Sequence, residues 1–224
     1  MAEKTNLKYF SIISSMFVAV LLISNTIASK LFFIGPFIFT GAIIIFPLSY
    51  IFGDVLTEVY GYTRSRKIIW TGFICLIFMS LVYWLVGLLP PAPGWNNQDA
   101  YNSILGIVPR IVFASIVAYF VGEFSNSFVL AKLKILTSGK HLWIRTIGST
   151  IVGEGIDTTL FVTIAFLGVI PSNLLLLAII SGYGFKVIYE VIATPITYVF
   201  VRKLKEAEGI DTFDYNTNFN PFRS

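Results

Sequence analysis

Charge is what this chain has least of. Lysine, arginine, aspartate and glutamate make up 12% of its 224 residues, against 56% hydrophobic residues; a soluble domain carries about twice that charged share. With a mean hydropathy of +0.80, the shortage excludes a water-soluble globular protein and reads as an integral membrane protein. Cysteine is nearly absent: Cys75 is the only one and lies inside an apolar run, so neither an intrachain disulfide nor a thiolate metal site can form. His141 is the only histidine, on a connecting loop beside Lys140, and reads as a solvated residue rather than a ligand or base. No H-E-x-x-H, nucleophile elbow or G-x-x-x-x-G-K-[ST] occurs. The chain is therefore not read as an enzyme, it hydrolyses no ATP itself, and no cofactor or metal is expected. Its net charge of +4 sits between apolar segments rather than in a basic patch, so no nucleic-acid partner is expected.

What the chain does have is hydrophobic length. Spanning about 30 Å at about 1.5 Å per residue takes about 20 apolar residues, and such runs occur near residues 9–29, 37–60, 68–89, 104–131, 144–170 and 173–201. The expected fold is an all-α membrane protein of six transmembrane helices in a single domain, residues 1–224, with a polar tail at 202–224 that packs under the bundle. Glu3 among the first lysines, and the apolar segments that follow, argue that the first run stays as a span rather than being a cleaved signal peptide. Of the 16 lysines and arginines, Lys30 and Arg110 alone fall on one side of these spans and Lys186 lies within one. The positive-inside rule then puts both termini in the cytoplasm. The longest polar connection, Pro90 to Ser103, reads either as a lid over an outward cavity or as an ordered surface loop. Ser11, Ser15 and Ala19 form a small-residue ridge suited to a partner helix or to a homodimer.

The informative residues are polar ones within the spans. An ionised side chain facing lipid costs roughly 2.5–3.5 kcal/mol on insertion scales, so it faces a partner, a cavity or water instead. Asp54 and Glu58 sit one helical turn apart in the stretch from Phe46 to Lys67, where they bind substrate or pair with Arg64 or Arg66. Three segments share a pattern: Gly53-Asp54 followed by Thr57 and Glu58, Gly122-Glu123 followed by Asn126, and Gly153-Glu154 followed by Asp157 and Thr158. The last span adds Lys186 and Glu190, read either as an intrahelical pair or as part of a helix broken at Gly182-Tyr183-Gly184 around a substrate. Six interior carboxylates against one interior lysine imply a lined cavity, with the surplus carboxylates as candidates for carrying protons.

SNTIASK (24–30), FPLSYIFGDVLTEVYGYTRSRK (46–67), GEFSNSFVLAKLK (122–134), GEGIDTTLF (153–161), KVIYEVIATPITY (186–198) and the closing DTFDYNTNFNPF together resemble the queuosine-precursor transporter family, also called the VUT family. The resemblance implies uptake across the bacterial inner membrane of 7-deazaguanine bases such as 7-cyano- and 7-aminomethyl-7-deazaguanine, and an architecture similar to the substrate-binding subunits of energy-coupling-factor vitamin transporters. It fixes no binding residues. A guanine-like edge offers two parallel donors that one carboxylate can accept, from Glu154, Asp157, Glu123 or Glu190. Tyr50, Phe46, Tyr183 and Phe185 are candidates for an aromatic wall, and Asn25 and Asn126 for the remaining ring polar atoms. Substrate-binding candidates are thus Asn25, Tyr50, Asp54, Glu58, Glu123, Asn126, Glu154, Asp157, Tyr183, Lys186 and Glu190. A stand-alone carrier, a binding subunit of an ATPase-driven transporter and, remotely, a membrane-embedded enzyme remain the competing readings.

Overall fold

The computed structural model describes residues 7–168, 171–215 and 217–222, with the side chains of Phe33, Pro47 and Tyr50 outside the description. Its elements in chain order are α1 (Phe10–Ile27), β1 (Leu31–Ile34), β2 (Phe37–Thr40), a 3-10 turn (Gly41–Ile44), α2 (Phe46–Tyr60), α3 (Tyr62–Gly87), α4 (Gln98–Ile104), α5 (Val108–Leu136), α6 (Leu142–Phe166) and α7 (Ser172–Glu208). Five helical stretches are long and apolar enough to cross a membrane: Phe10–Ile27, Tyr62–Gly87, Gln98–Leu136, Leu142–Phe166 and Ser172–Glu208.

The run expected as a span at 37–60 differs. Its first third is not helical but forms the second strand of an antiparallel hairpin, Leu31 opposite Thr40 and Ile34 opposite Phe37, followed by the 3-10 turn. Alternating Phe and Ile suit a strand as well as a buried helix, and periodicity cannot separate the two in short apolar runs. The helix proper, α2, has 15 residues, about 22 Å long. It still makes the return journey between α1 and α3. Backbone N–H groups of Lys8 and Tyr9 donate to the Glu208 carboxylate at 2.9 and 2.7 Å, and the Tyr60 hydroxyl donates to the same group at 2.8 Å. The start of α1, the end of α2 and the end of α7 therefore meet at one end of the bundle, and the hairpin lies at the other.

The packing is that of a lipid-solvated protein. Phe17, Leu21, Leu56, Val59, Ile69 and Phe73 form an apolar core between α1, α2 and α3, while Ile12, Phe78, Leu81, Ile188, Ile192 and Ile196 are exposed, as suits side chains whose solvent is hydrocarbon. Polar groups go to the interior between α2, α5, α6 and α7. The repeated glycine pattern is explained at the α5–α6 contact. A Cβ on Gly122 would meet the Asp157 Cβ at 2.7 Å and the Gly153 carbonyl at 2.9 Å, and one on Gly153 would meet the Asn126 Cβ at 2.6 Å and the Gly122 carbonyl at 3.0 Å. Each glycine thus receives the polar residue four positions beyond the other glycine, and bare backbone lets the two helices close.

The structure decides between the alternatives left open for α7 and for the outer loop. α7 runs unbroken through Gly182, Gly184 and Pro195, so it is not a broken helix among the described residues. The 90–103 connection folds partly into α4 and packs on the end of α3, with the Tyr101 hydroxyl donating to the Tyr83 carbonyl at 3.0 Å and the Gln98 amide to Gly87 at 3.1 Å. It is an ordered surface loop. Residues 202–208, expected as tail, continue α7, and the tail beyond Glu208 packs against α3: Asp214 accepts from the Tyr62 backbone N–H, Arg66 donates to the Asn218 carbonyl at 3.0 Å, and the Trp70 indole donates to Pro221 at 2.8 Å.

Candidate functional site

A cavity of about 140 Å³ opens between the hairpin and the helix interior. Its polar residues converge from four helices: Ser24 and Asn25 from α1, Ser115 from α5, Asp157 and Thr158 from α6, Lys186 from α7. Its walls are Phe39, Phe46, Phe161 and Phe166 with Ile38 and Ile43, and the hairpin covers it, so no residue of the 90–103 connection lines it. A β-hairpin in a membrane protein is tolerated where it lines a cavity or faces water, because lipid cannot satisfy its edges. The volume is in the range that admits an aromatic ring, since an apolar cavity of about 150 Å³ accepts benzene.

Helical spacing builds the polar end. Glu154 and Asp157, three apart on α6, share a face and grip Lys186 from opposite α7. The ammonium lies 2.7 Å from Glu154 Oε2 and 2.9 Å from Asp157 Oδ2, and 4.4 Å above the Phe46 ring. Lys186 therefore pairs between helices rather than with Glu190 along its own. Asn25 Nδ2 donates back to the Leu21 carbonyl at 2.9 Å, which fixes the side chain and leaves Oδ1 buried with no hydrogen-bond partner among the described residues; Thr158 Oγ1 is in the same condition. A buried polar atom without a partner is a departure from the rule and calls for a reason.

Deeper in the bundle lies a second polar group. Asn126 Nδ2 donates to Asp54 Oδ1 at 2.7 Å, and Glu123 accepts from Ser127 at 3.4 Å while its Oε1 occupies the space where residue 53 would carry a Cβ. Glu190 is buried alongside. No ion pair among the described residues includes Asp54, Glu123 or Glu190.

At the end where the termini meet, Glu58 is the centre of a third group. Its Oε1 lies 2.7 Å from Arg145, 2.6 Å from Lys205 and 3.4 Å from Lys134, and Lys134 also donates to the Glu58 and Thr212 carbonyls at 2.6 Å. Arg145 and Lys134 are as buried as Glu58. Asp211 of the tail completes the cluster, 2.6 Å from Lys134 and 2.9 Å from Lys205. Burial alone would raise its carboxyl, but the hydrogen bonds from Lys134 and Lys205 outweigh that and hold it below the usual range.

The charged and amide residues among the sequence-predicted set thus divide three ways. Asn25, Asp157 and Lys186 line the cavity, with Glu154 behind Lys186. Asp54, Glu123, Asn126 and Glu190 form the deeper group, away from the cavity wall. Glu58 belongs to the ion cluster, and its partners are Arg145, Lys134 and Lys205 rather than Arg64 or Arg66. Arg64 turns back to the Tyr60 carbonyl and Arg66 serves the tail. The expectation of a single interior lysine fails for the same reason: Lys134 and Arg145, placed in loops by span boundaries, reach inward from the ends of α5 and α6. Tyr183 lies apart from the cavity lining, its ring against Gly155 and its hydroxyl 3.4 Å from the Ile151 carbonyl. The Tyr50 side chain falls outside the described residues. Thr158, noted in the sequence pattern but not among the binding candidates, lines the cavity beside Asp157; residues that sequence reasoning missed are Phe161, one turn from Asp157 and so findable by spacing, and Phe39 and Thr40, hidden by the reading of their segment as helix.

A family model described as "Putative vitamin uptake transporter" matches residues 40–200. The chain is 33% identical over 156 residues to the "Probable queuosine precursor transporter" of Bacillus subtilis, covering 69% of this chain and 68% of that one. It is 27% identical over 121 residues to the "Queuosine precursor transporter" of Escherichia coli, covering 54% and 52%. No solved structure matches.

Proposed function

Since the chain belongs to the queuosine-precursor transporter family, we propose that it is a multi-pass membrane carrier of queuosine precursors and that its cargo is a 7-deazaguanine base held in the cavity beneath the hairpin. The observation that carries this reading is a ring-sized cavity with aromatic walls and, at one end, two unpartnered polar atoms beside a carboxylate. A deazaguanine matches it. Its N1–H and exocyclic amine face Asp157, its remaining N–H and acceptor atoms meet Asn25 Oδ1, Thr158 Oγ1 and Ser115, and its faces lie against Phe39, Phe46 and Phe161. Stacking of a base on an aromatic side chain contributes roughly 1–3 kcal/mol. Each polar contact made to a group otherwise left unpaired adds discrimination against analogues lacking it.

The topology supports a carrier with a cavity open to one face and an ionic closure at the other. Five long helices and the shorter α2 make six passages, which returns both termini to one side, and the excess of basic residues on that side supports reading it as the cytoplasmic face of the inner membrane. The hairpin then faces outward and the Glu58 cluster closes the cytoplasmic mouth. Alternating access amounts to opening one closure as the other forms.

The test is uptake of 7-cyano-7-deazaguanine by a bacterium that lacks both precursor synthesis and its own carrier and expresses this chain, with queuosine in tRNA as readout. Restoration is expected, and Thr158→Val and Asn25→Leu reduce it at least tenfold whereas Tyr183→Phe leaves it within twofold. Absence of queuosine, with the chain confirmed in the membrane, overturns the reading of a self-sufficient precursor carrier and turns attention to an energising ATPase partner.

A further inference from the structure

The group of Asp54, Glu123, Asn126 and Glu190 does not line the cavity, and its chemistry is lopsided in one direction. Asp54 Oδ2, Asn126 Oδ1 and Glu190 Oε1 are buried acceptors with no donor among the described residues. Unpartnered acceptors in a dry interior lack one thing, a hydrogen to accept.

Their charged surroundings do not supply it. Facing Asp54 are Glu58 from its own helix, Glu123 from α5 and Glu190 from α7, with the Asn126 amide as its neutral donor. Glu123 is faced by the Tyr119 hydroxyl on its own helix and by Glu154 and Asp157 from α6, and Glu190 and Glu154 face one another. Lys186, one turn along α7 from Glu190, is engaged by two carboxylates, Glu154 and Asp157. Lys134, Arg145 and Lys205 are engaged by Glu58. Ionised together, these groups repel in a low-dielectric setting. A metal ion is a poor remedy, since among the described residues no three carboxylates converge as ligands and a hard cation takes six or more oxygens. A proton needs one oxygen, cancels one charge and gives an orphaned acceptor its donor.

Position gives that chemistry a use. Glu190 is one turn along α7 from Lys186 at the cavity floor, and Asp54 is one turn along α2 from Glu58 in the cytoplasmic cluster, each step about 6 Å. The group lies between the two closures. We infer that Asp54, Asn126, Glu123 and Glu190 form a proton-binding site through which cargo movement is coupled to a proton gradient. The inference rests on the carrier reading for its coupling but not for the site itself.

Two measurements on the purified full chain separate the two. The first is the infrared spectrum of the cargo-free protein at neutral pH. It should carry a protonated-carboxyl band that weakens in Asp54→Asn, Glu123→Gln and Glu190→Gln. The second is proteoliposome transport of radiolabelled 7-cyano-7-deazaguanine. An outside-acid gradient should drive accumulation, which falls at least tenfold in Glu190→Gln, while exchange of the base without a gradient stays within threefold of the unsubstituted chain. A missing band, or one that none of the substitutions changes, overturns the site whatever the cargo. Accumulation driven by sodium and not by acid overturns the coupling. The band and its losses with no exchange of the base support the site and sink the cargo assignment instead.

Discussion

Glu58→Gln removes one negative charge from a position where three cations meet. Glu58 is fully buried, and Arg145 and Lys134 beside it are each 2% exposed. Their charges have no water to turn to when the carboxylate is neutralised. Removing one partner of a buried pair costs about 3–5 kcal/mol because the other is left uncompensated. At about 2–4 °C per kcal/mol for a chain of this size, thermal unfolding in detergent should begin roughly 6–20 °C lower. The penalty belongs to the stranded guanidinium, so adding Arg145→Met to Glu58→Gln should recover part of the loss, a coupling that independent sites would not show. Lys205→Met should cost less than Arg145→Met alone, since the Lys205 side chain is 20% exposed and water already shares its charge. A Glu58→Gln midpoint within about 2 °C of the unsubstituted chain, or a double variant that loses the sum of the two singles, refutes the argument that this cluster ties α2, α5, α6 and α7 together.

The glycine contact gives a sharper contrast. Gly122→Ala and Gly153→Ala each put a methyl within 3.0 Å of both a backbone carbonyl and a side-chain atom of the facing helix, and overpacking of that kind costs about 1–3 kcal/mol. Gly184→Ala meets nothing within 4 Å and gains helix propensity of up to about 1 kcal/mol, so it should leave the melting temperature unchanged or raised. Asp214 caps the first turn of α3 from the tail, and Asp214→Ala should cost about 1 kcal/mol and speed proteolytic clipping after residue 209. Asp211, held below the usual carboxylate range by Lys134 and Lys205, steadies the tail above its unfolded-state pKa. That contribution is lost as pH falls through the folded-state value. Tail proteolysis should therefore accelerate on the acid side, and Asp211→Asn should flatten the profile.

Much of this molecule was written in its sequence. Hydropathy alone marks five of the passages, because a helix in lipid must satisfy its own backbone and show an apolar surface. The same penalty marks the interior: every one of the carboxylates at 54, 58, 123, 154, 157 and 190 is buried, since lipid would not accept them. The pairing of Gly122-Glu123 with Gly153-Glu154 was visible as a pattern, though not as the contact of two helices. Tertiary structure decided the rest. The alternation of Phe37 to Thr40 does not by itself separate a strand from the start of a helix; the local hint is the Gly35-Pro36 turn, and the pairing with Leu31 to Ile34 is what makes the strand. Which carboxylate meets which cation depends on residues such as Glu58 and Arg145, 87 positions apart, and on long basic side chains that reach inward from the ends of α5 and α6. Only the fold could divide one list of polar residues into a cavity, an acceptor-rich interior and an ionic closure, because each role depends on neighbours supplied by other helices.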